Sequence, residues 1–116
     1  MDLETLRRYC LSLQHATEDI QWGNNLLFRV AKKMFAIAAL DRVPVSLSFK
    51  CSDEEFAELL EREGIVPAPY LARNKWVMIE SLDALPPKEL KRLIRDSYTL
   101  VAAKLPKKVR SEMGFK

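Results

Sequence analysis

Three groups of residues in this chain carry side chains that could do chemistry. The first is a single histidine, His15, followed by Ala16-Thr17-Glu18. An imidazole titrates near neutrality and can act as a general base, but no activated nucleophile can be placed beside it. His15 reads instead as a helix-end residue near the negative pole of the helix dipole, and the chain is expected not to be an enzyme. The second group is Cys10 and Cys51. Two thiols are too few for a four-cysteine metal site or a disulfide framework. They read as small, partly buried thiols of a reducing cytoplasm, and the sequence leaves a disulfide between them open. Glu54, Glu55, Glu58 and Glu61 crowd one helix and read as a solvated acidic face. With only three glycines there is no phosphate-cradling loop. No metal and no cofactor are expected.

The third group is basic. Residues 88–116 hold nine Lys and Arg against three Asp and Glu, a net of +6, on a body whose residues 1–87 carry ten against thirteen, a net of −3. Such asymmetry suits an anionic partner, although a solvated helix face with a basic tail would look the same. Arg29, Lys32 and Lys33 fall at an expected hairpin tip, where a basic wing reaches phosphates. Arg73, Asn74, Lys75 and Trp76 combine two charges, an amide and an indole before a strand. Trp76 would stack on a base if exposed, and would be a core residue of a sheet face otherwise. Lys88, Lys91, Arg92 and Arg95 share one helix face, and Lys107, Lys108 and Arg110 form a short basic tail from about residue 106.

These side chains need a scaffold, and hydrophobic periodicity supplies one. Leu3, Leu6, Cys10 and Leu13 repeat at helical spacing, predicting a helix over 3–13. Short runs follow at 18–22, 26–30, 34–40 and 45–49, with Gly23-Asn24-Asn25, Lys32-Lys33 and Asp41-Arg42-Val43-Pro44 as corners. Leu26, Phe28 and Val30 alternate with Leu27 and Arg29. Val45, Leu47 and Phe49 point inward and Ser46 and Ser48 outward. Ser52-Asp53-Glu54-Glu55 is a capping box opening a helix over 53–62 that stops at Gly64. Residues 76–80 read as a strand. Pro87 starts the longest helix, to Leu105, with Leu90, Leu93, Ile94, Ser97, Tyr98, Val101 and Leu105 as its buried stripe. Strand runs joined by tight turns predict an α+β domain of two layers over 1–116, an antiparallel sheet with helices on one face. No apolar run is long enough for a membrane span and the acidic start is unlike a secretory signal.

Several phrases, in their order, carry a resemblance: His15-Ala16-Thr17-Glu18, Trp22-Gly23, Phe28-Arg29-Val30, Lys32-Lys33-Met34-Phe35-Ala36, Leu85-Pro86, Ser97-Tyr98-Thr99-Leu100-Val101 and Leu105-Pro106-Lys107-Lys108. Together they resemble the YjbR/MmcQ-like family of small bacterial proteins, over about 3–110. The resemblance implies a two-layer fold akin to frataxin-like and secretion-chaperone-like domains, and DNA binding as the role. Many members read Leu-Asn-Lys-Lys-His-Trp before the last strand. Here the phrase is Leu71-Ala72-Arg73-Asn74-Lys75-Trp76, so any role of that histidine does not carry over.

Two partners follow as expectations. One is DNA, contacted non-specifically at its phosphates by Arg29, Lys32, Lys33, Arg73, Asn74, Lys75, Lys107, Lys108 and Arg110. The helices are separated by strands, so no helix-turn-helix is visible. The other is a protein, held on an apolar patch of Trp22, Tyr70 and Trp76. The chain is expected to be cytoplasmic, off the membrane, and a monomer or homodimer.

Overall fold

Leu26, Phe28 and Val30 turn one way and Leu27 and Arg29 the other, and both apolar sets are buried. A strand buried on both sides belongs inside a sheet. The structure, a computed structural model, describes residues 1–69 and 71–115. Among these residues the elements run α1 (Leu3–Ser12), β1 (Ala16–Gln21), β2 (Asn25–Val30), β3 (Lys33–Ala39), β4 (Ser46–Lys50), α2 (Asp53–Leu60), β5 (Ile65–Pro67), a 3₁₀ turn (Ala72–Asn74), β6 (Trp76–Ile79), α3 (Pro87–Ala103) and α4 (Lys107–Glu112). The strands form one sheet in the order β1-β2-β3-β4-β6-β5, and each neighbouring pair is antiparallel. The expected two-layer α+β architecture is what the chain adopts.

Helices cover one face of the sheet. Phe28, Phe35, Phe49, Leu47 and Val77 point into that layer and meet Leu6 of α1 and Leu90, Leu93 and Ile94 of α3, all essentially without solvent contact. Asp2 caps α1 by accepting from the Thr5 amide at 2.8 Å. Ser52 caps α2 through the Glu55 amide at 3.2 Å, which is the serine half of the expected capping box.

The other face is less bare than the alternation predicts. Leu27, Ile37, Trp76, Met78 and Ala68 form a second, smaller apolar cluster, with Met34, Val66 and Leu71 packed against it. The chain after β5 folds back over this face, which is why Ser46, expected to point to solvent, is buried. β5 itself pairs Ile65 with Ile79 and adds a short edge strand beside β6.

Two local features place the residues that matter below. The β2–β3 register shifts at Phe28/Arg29, and the β3–β4 ladder stops at Ala36 opposite Phe49. Beyond that point the Ser97 hydroxyl of α3 stands between the strands. It donates to the Phe35 carbonyl at 2.7 Å and accepts from the Lys50 amide at 3.0 Å. One buried hydroxyl thereby replaces a ladder bond and ties α3 to the ends of β3 and β4. The β2–β3 connection is a two-residue turn with positive φ at both Ala31 (48°) and Lys32 (70°), the backbone of a tight hairpin normally built with Asn or Gly.

The residues read as a basic tail are helical. α4 is held by His15 Nε2 at 2.6 Å from the Met113 carbonyl, and by Phe115, which meets the rings of His15 and Tyr98 edge-on. Tyr98 in turn donates to the Gln14 carbonyl at 2.6 Å.

Candidate nucleic-acid interface

Arginine and lysine are used differently in this chain. Among the described residues, every side-chain ion pair involves arginine. Arg7 meets Glu18 through two nitrogens at 2.8 and 2.9 Å, Arg29 meets Asp19 at 2.9 Å, Arg62 meets Glu89 at 2.6 Å, and Arg92 bridges Glu55 and Asp96 at 3.2 and 2.8 Å. The planar guanidinium suits such fixed, forked contacts. The carboxylates register it. Glu18 is held below its usual pKa by the hydrogen bonds from Arg7, and Glu89 by that from Arg62. Asp19 is lowered first by Gln21 and then by Arg29. No described lysine joins an ion pair.

Three of those lysines share a cleft of about 390 Å³ at one end of the sheet, where β3 begins, β4 ends and β6 begins. Lys33 comes from the start of β3, Lys50 from the end of β4, and Lys104 from the residue that closes α3. Trp76, Met34 and Leu71 of the second face and Val101 and Leu105 at the end of α3 make its apolar walls. Asn74 completes the rim, and its carbonyl accepts from the Lys50 ammonium. Among the described residues, no carboxylate lines the cleft. Burial pulls the Lys50 pKa below that of an ordinary lysine, and the positive charge of Lys104 adds to the effect. Lys50 therefore carries its charge against both desolvation and a like neighbour.

The residues expected to contact nucleic acid divide into two sets. Lys33 and Asn74 come together in this cleft, although they are far apart in sequence. Lys32, exposed at the hairpin tip, lies at the same end of the sheet, above a shallow depression that reaches Met113 at the end of α4. Arg73 is exposed beside Asn74, and Lys107 and Lys108 are exposed in the first turn of α4. A helix N-terminus disfavours cations, so the dipole does not account for those two lysines. The other residues are engaged elsewhere. Arg29 spans Asp19 and the Lys32 carbonyl. Lys75, at positive φ, places its ammonium 5.0 Å from the centre of the Phe56 ring. Arg110 is half-buried in α4. On α3, Lys91 lies over the Tyr9 ring and Arg92 is paired, so that face is partly spent on packing.

Lys50 and Lys104 escaped the sequence reading. Alternation from Leu47 and Phe49 sends Lys50 to the second face, and a lysine is an ordinary way to end a helix. Only the β4–β6 register, with Lys50 opposite Trp76, and the course of α3 bring them together. Trp76 is buried, 5% exposed, so it is not an exposed stacking platform; it packs in the second apolar cluster and forms part of the cleft wall. Trp22 is the exposed indole, at 64%, and borders an apolar groove of about 420 Å³ with Ile37 and Met78. Tyr70 lies outside the described residues. Cys10 and Cys51 are free and buried. Burial, the leading cause in each case, pushes their thiols up to about 12 and about 11.

The comparisons with known proteins bear on this geometry. Residues 11–100 match the family model YjbR. The chain belongs to the YjbR family. Among solved structures, the crystal structure of the Deinococcus radiodurans protein DR2400, a DUF419-domain protein, is 31% identical to this YjbR chain with a TM-score of 0.88. That match covers 98% of this chain and 88% of the other. A protein from Pseudomonas syringae shares the fold at 21% identity and a TM-score of 0.72, over 87% of this chain and 99% of that one. A search of curated proteins finds no match. Among the described residues of the YjbR chain, no helix is long and apolar enough to cross a membrane.

Proposed function

We propose that this YjbR-family chain is a bacterial, cytoplasmic nucleic-acid-binding module that holds DNA by its phosphates and is not an enzyme. The observation that carries the reading is the lysine-lined end of the sheet, where cations from three separate elements meet with no carboxylate of the described residues among them. The contacts would come from Lys32, Lys33 and Lys104, with Arg73 and Asn74 on one side and Lys107 and Lys108 on the other. Arg29, Lys75 and Arg110 would support the interface rather than touch the duplex. A lysine is a mobile point charge, so the set would recognise phosphate without reading bases. His15, committed to the Met113 carbonyl and the Phe115 ring, supports a structural role over catalysis. The two buried free thiols fit a reducing compartment.

Fluorescence anisotropy of a labelled duplex at several salt concentrations tests this. Binding through four to six phosphates would make log affinity fall with log salt at about −0.9 per neutralised phosphate. Lys32→Gln, Lys33→Gln and Lys104→Gln combined should reduce that slope by about 2.7. Absence of binding at low salt would sink the proposal. Trp22, with Ile20 at 56% and Val43 at 98% exposure, favours a second reading, a protein-binding module. Loss of duplex binding together with self-association that Trp22→Ser abolishes would favour it.

A further inference from the structure

The strand-end cleft differs from a phosphate-tracking surface in shape and in the distribution of its charge. A duplex groove-binder needs exposed cations spaced along a face. Here Lys33, Lys50 and Lys104 instead surround a recess with apolar walls. Its volume, about 390 Å³, is at the lower end of the roughly 300–1,000 Å³ of small-molecule pockets. A duplex could reach only the exposed rim lysines, Lys33 and Lys104, and not the interior of the recess. One small molecule, or one unpaired end of a strand, can enter it.

The charge count narrows the ligand. A phosphodiester brings one negative charge, whereas a phosphate monoester carries about −1.5 to −2 near neutral pH and three acceptor oxygens. Three ammonium groups, none of them in an ion pair among the described residues, match the monoester better. The walls narrow it further. Trp76, Met34, Leu71, Val101 and Leu105 offer apolar contact that inorganic phosphate cannot use. Lys50 is the most telling residue. Its ammonium is anchored on the Asn74 carbonyl, and its backbone amide is fixed by the buried Ser97 hydroxyl. A half-buried lysine so oriented, beside a second lysine, is an unfavourable placement for the folded chain alone. An anion in the cleft would offset the repulsion between Lys50 and Lys104.

We infer that the cleft formed by Lys33, Lys50, Lys104, Asn74 and the Trp76 wall binds a phosphate monoester attached to a small, largely apolar or planar body, the chemistry of a nucleoside monophosphate, either free or at the 5′ end of a nucleic-acid strand. The inference rests in part on the phosphate-binding reading above, and the following experiment separates the two.

The chain has two tryptophans, so Trp22→Phe leaves Trp76 as the sole indole, set in the wall of the cleft. Adenosine monophosphate titrated into this variant should change the Trp76 emission saturably. Adenosine and inorganic phosphate should each bind at least tenfold more weakly, because each lacks one half of the recognition. Lys50→Met and, independently, Lys104→Met should each weaken the nucleotide at least tenfold. Lys104 is exposed at a helix end, so its variant is expected to fold even if Lys50→Met does not. Two single-stranded oligonucleotides, one 5′-phosphorylated and one with a 5′ hydroxyl, distinguish the sources. A tenfold preference for the phosphorylated strand supports a strand-end site, and binding of the mononucleotide alone supports a free ligand. Emission that does not saturate with any phosphorylated probe overturns the inference. So does equal affinity for adenosine and its monophosphate, or unchanged affinity in Lys104→Met. Salt-dependent duplex binding that survives such a failure would leave the proposed function standing and remove only the cleft.

Discussion

At the β1 edge of the sheet, Arg7 and Arg29 each close on a carboxylate of β1, whereas at the strand ends Lys33, Lys50 and Lys104 share a cleft that no carboxylate of the described residues lines. The two regions are made from the same currency of positive charge. At the edge, Arg7 is fixed by a forked contact with Glu18 and Arg29 by Asp19 together with the Lys32 carbonyl, so each charge is matched within the fold and its field is cancelled nearby. At the strand ends, the cations are unmatched and one of them is partly desolvated. The difference indicates that net charge, only +3 for the whole chain, says little about where an anion would go. What matters is which charges the fold has already neutralised. Changes at Arg7 should therefore alter stability and leave phosphate binding alone, and changes at Lys33 and Lys104 should do the reverse.

The largest effect is expected beneath the cleft, where Ser97 ties α3 to the ends of β3 and β4. Ser97→Ala leaves the Phe35 carbonyl and the Lys50 amide without their bridge, and should lower the unfolding free energy by about 2 kcal/mol in urea titrations. An unchanged midpoint would mean that the strand ends are not held as described. Next comes the hairpin tip, where stability and binding should move in opposite directions. Lys32→Gly relieves a positive-φ lysine and should stabilise the fold by about 1 kcal/mol, while the DNA salt slope falls by about 0.9. A destabilised variant, or an unaltered slope, would break the comparison at its most exposed lysine.

Smaller and pH-dependent is the Arg7–Glu18 contact. Glu18 has a folded pKa below its unfolded one, so its stabilisation is present above the unfolded carboxylate value and is lost as pH falls through the depressed folded value. Glu18→Gln should therefore lower the thermal midpoint at neutral pH, and the gap should close in acid, with the DNA salt slope unchanged at neutral pH. The smallest effect is expected at Trp22. Trp22→Ser at this exposed turn should change stability by no more than about 0.5 kcal/mol and leave duplex affinity intact. A loss of DNA binding there would shift the interface to the apolar groove.

Much of the fold was legible because its signals are local. Alternation set the two faces of β2, the caps of α2 and α3 followed from Ser52 and Pro87, and the residues of the α3 stripe, Ser97 included, face the core or lie against it. Two misjudged features depend on what lies across space. Ser46 alternates toward solvent, yet the segment after β5 returns to cover it. Lys107 and Lys108 look like a free tail, yet Phe115 and Met113, further on, fasten that helix to His15. The candidate site was half visible for the same reason. Lys33 and Asn74 stood out because each lies in a run of polar residues at a turn. Lys50 and Lys104 each have a mundane local reason to be lysine, and no spacing in the chain reveals that β4 and α3 end at one place.

The proposed phosphate site can be tested directly through the lysine side-chain ammonium resonances in ¹⁵N-edited NMR spectra, recorded at low temperature and mildly acidic pH while a short duplex is added. The account predicts that Lys32, Lys33 and Lys104 shift first and saturate together, with Lys88 and Lys91 on the far turns of α3 nearly still. Shifts confined to Lys88 and Lys91, or spread equally over every lysine, would contradict a site at the strand ends.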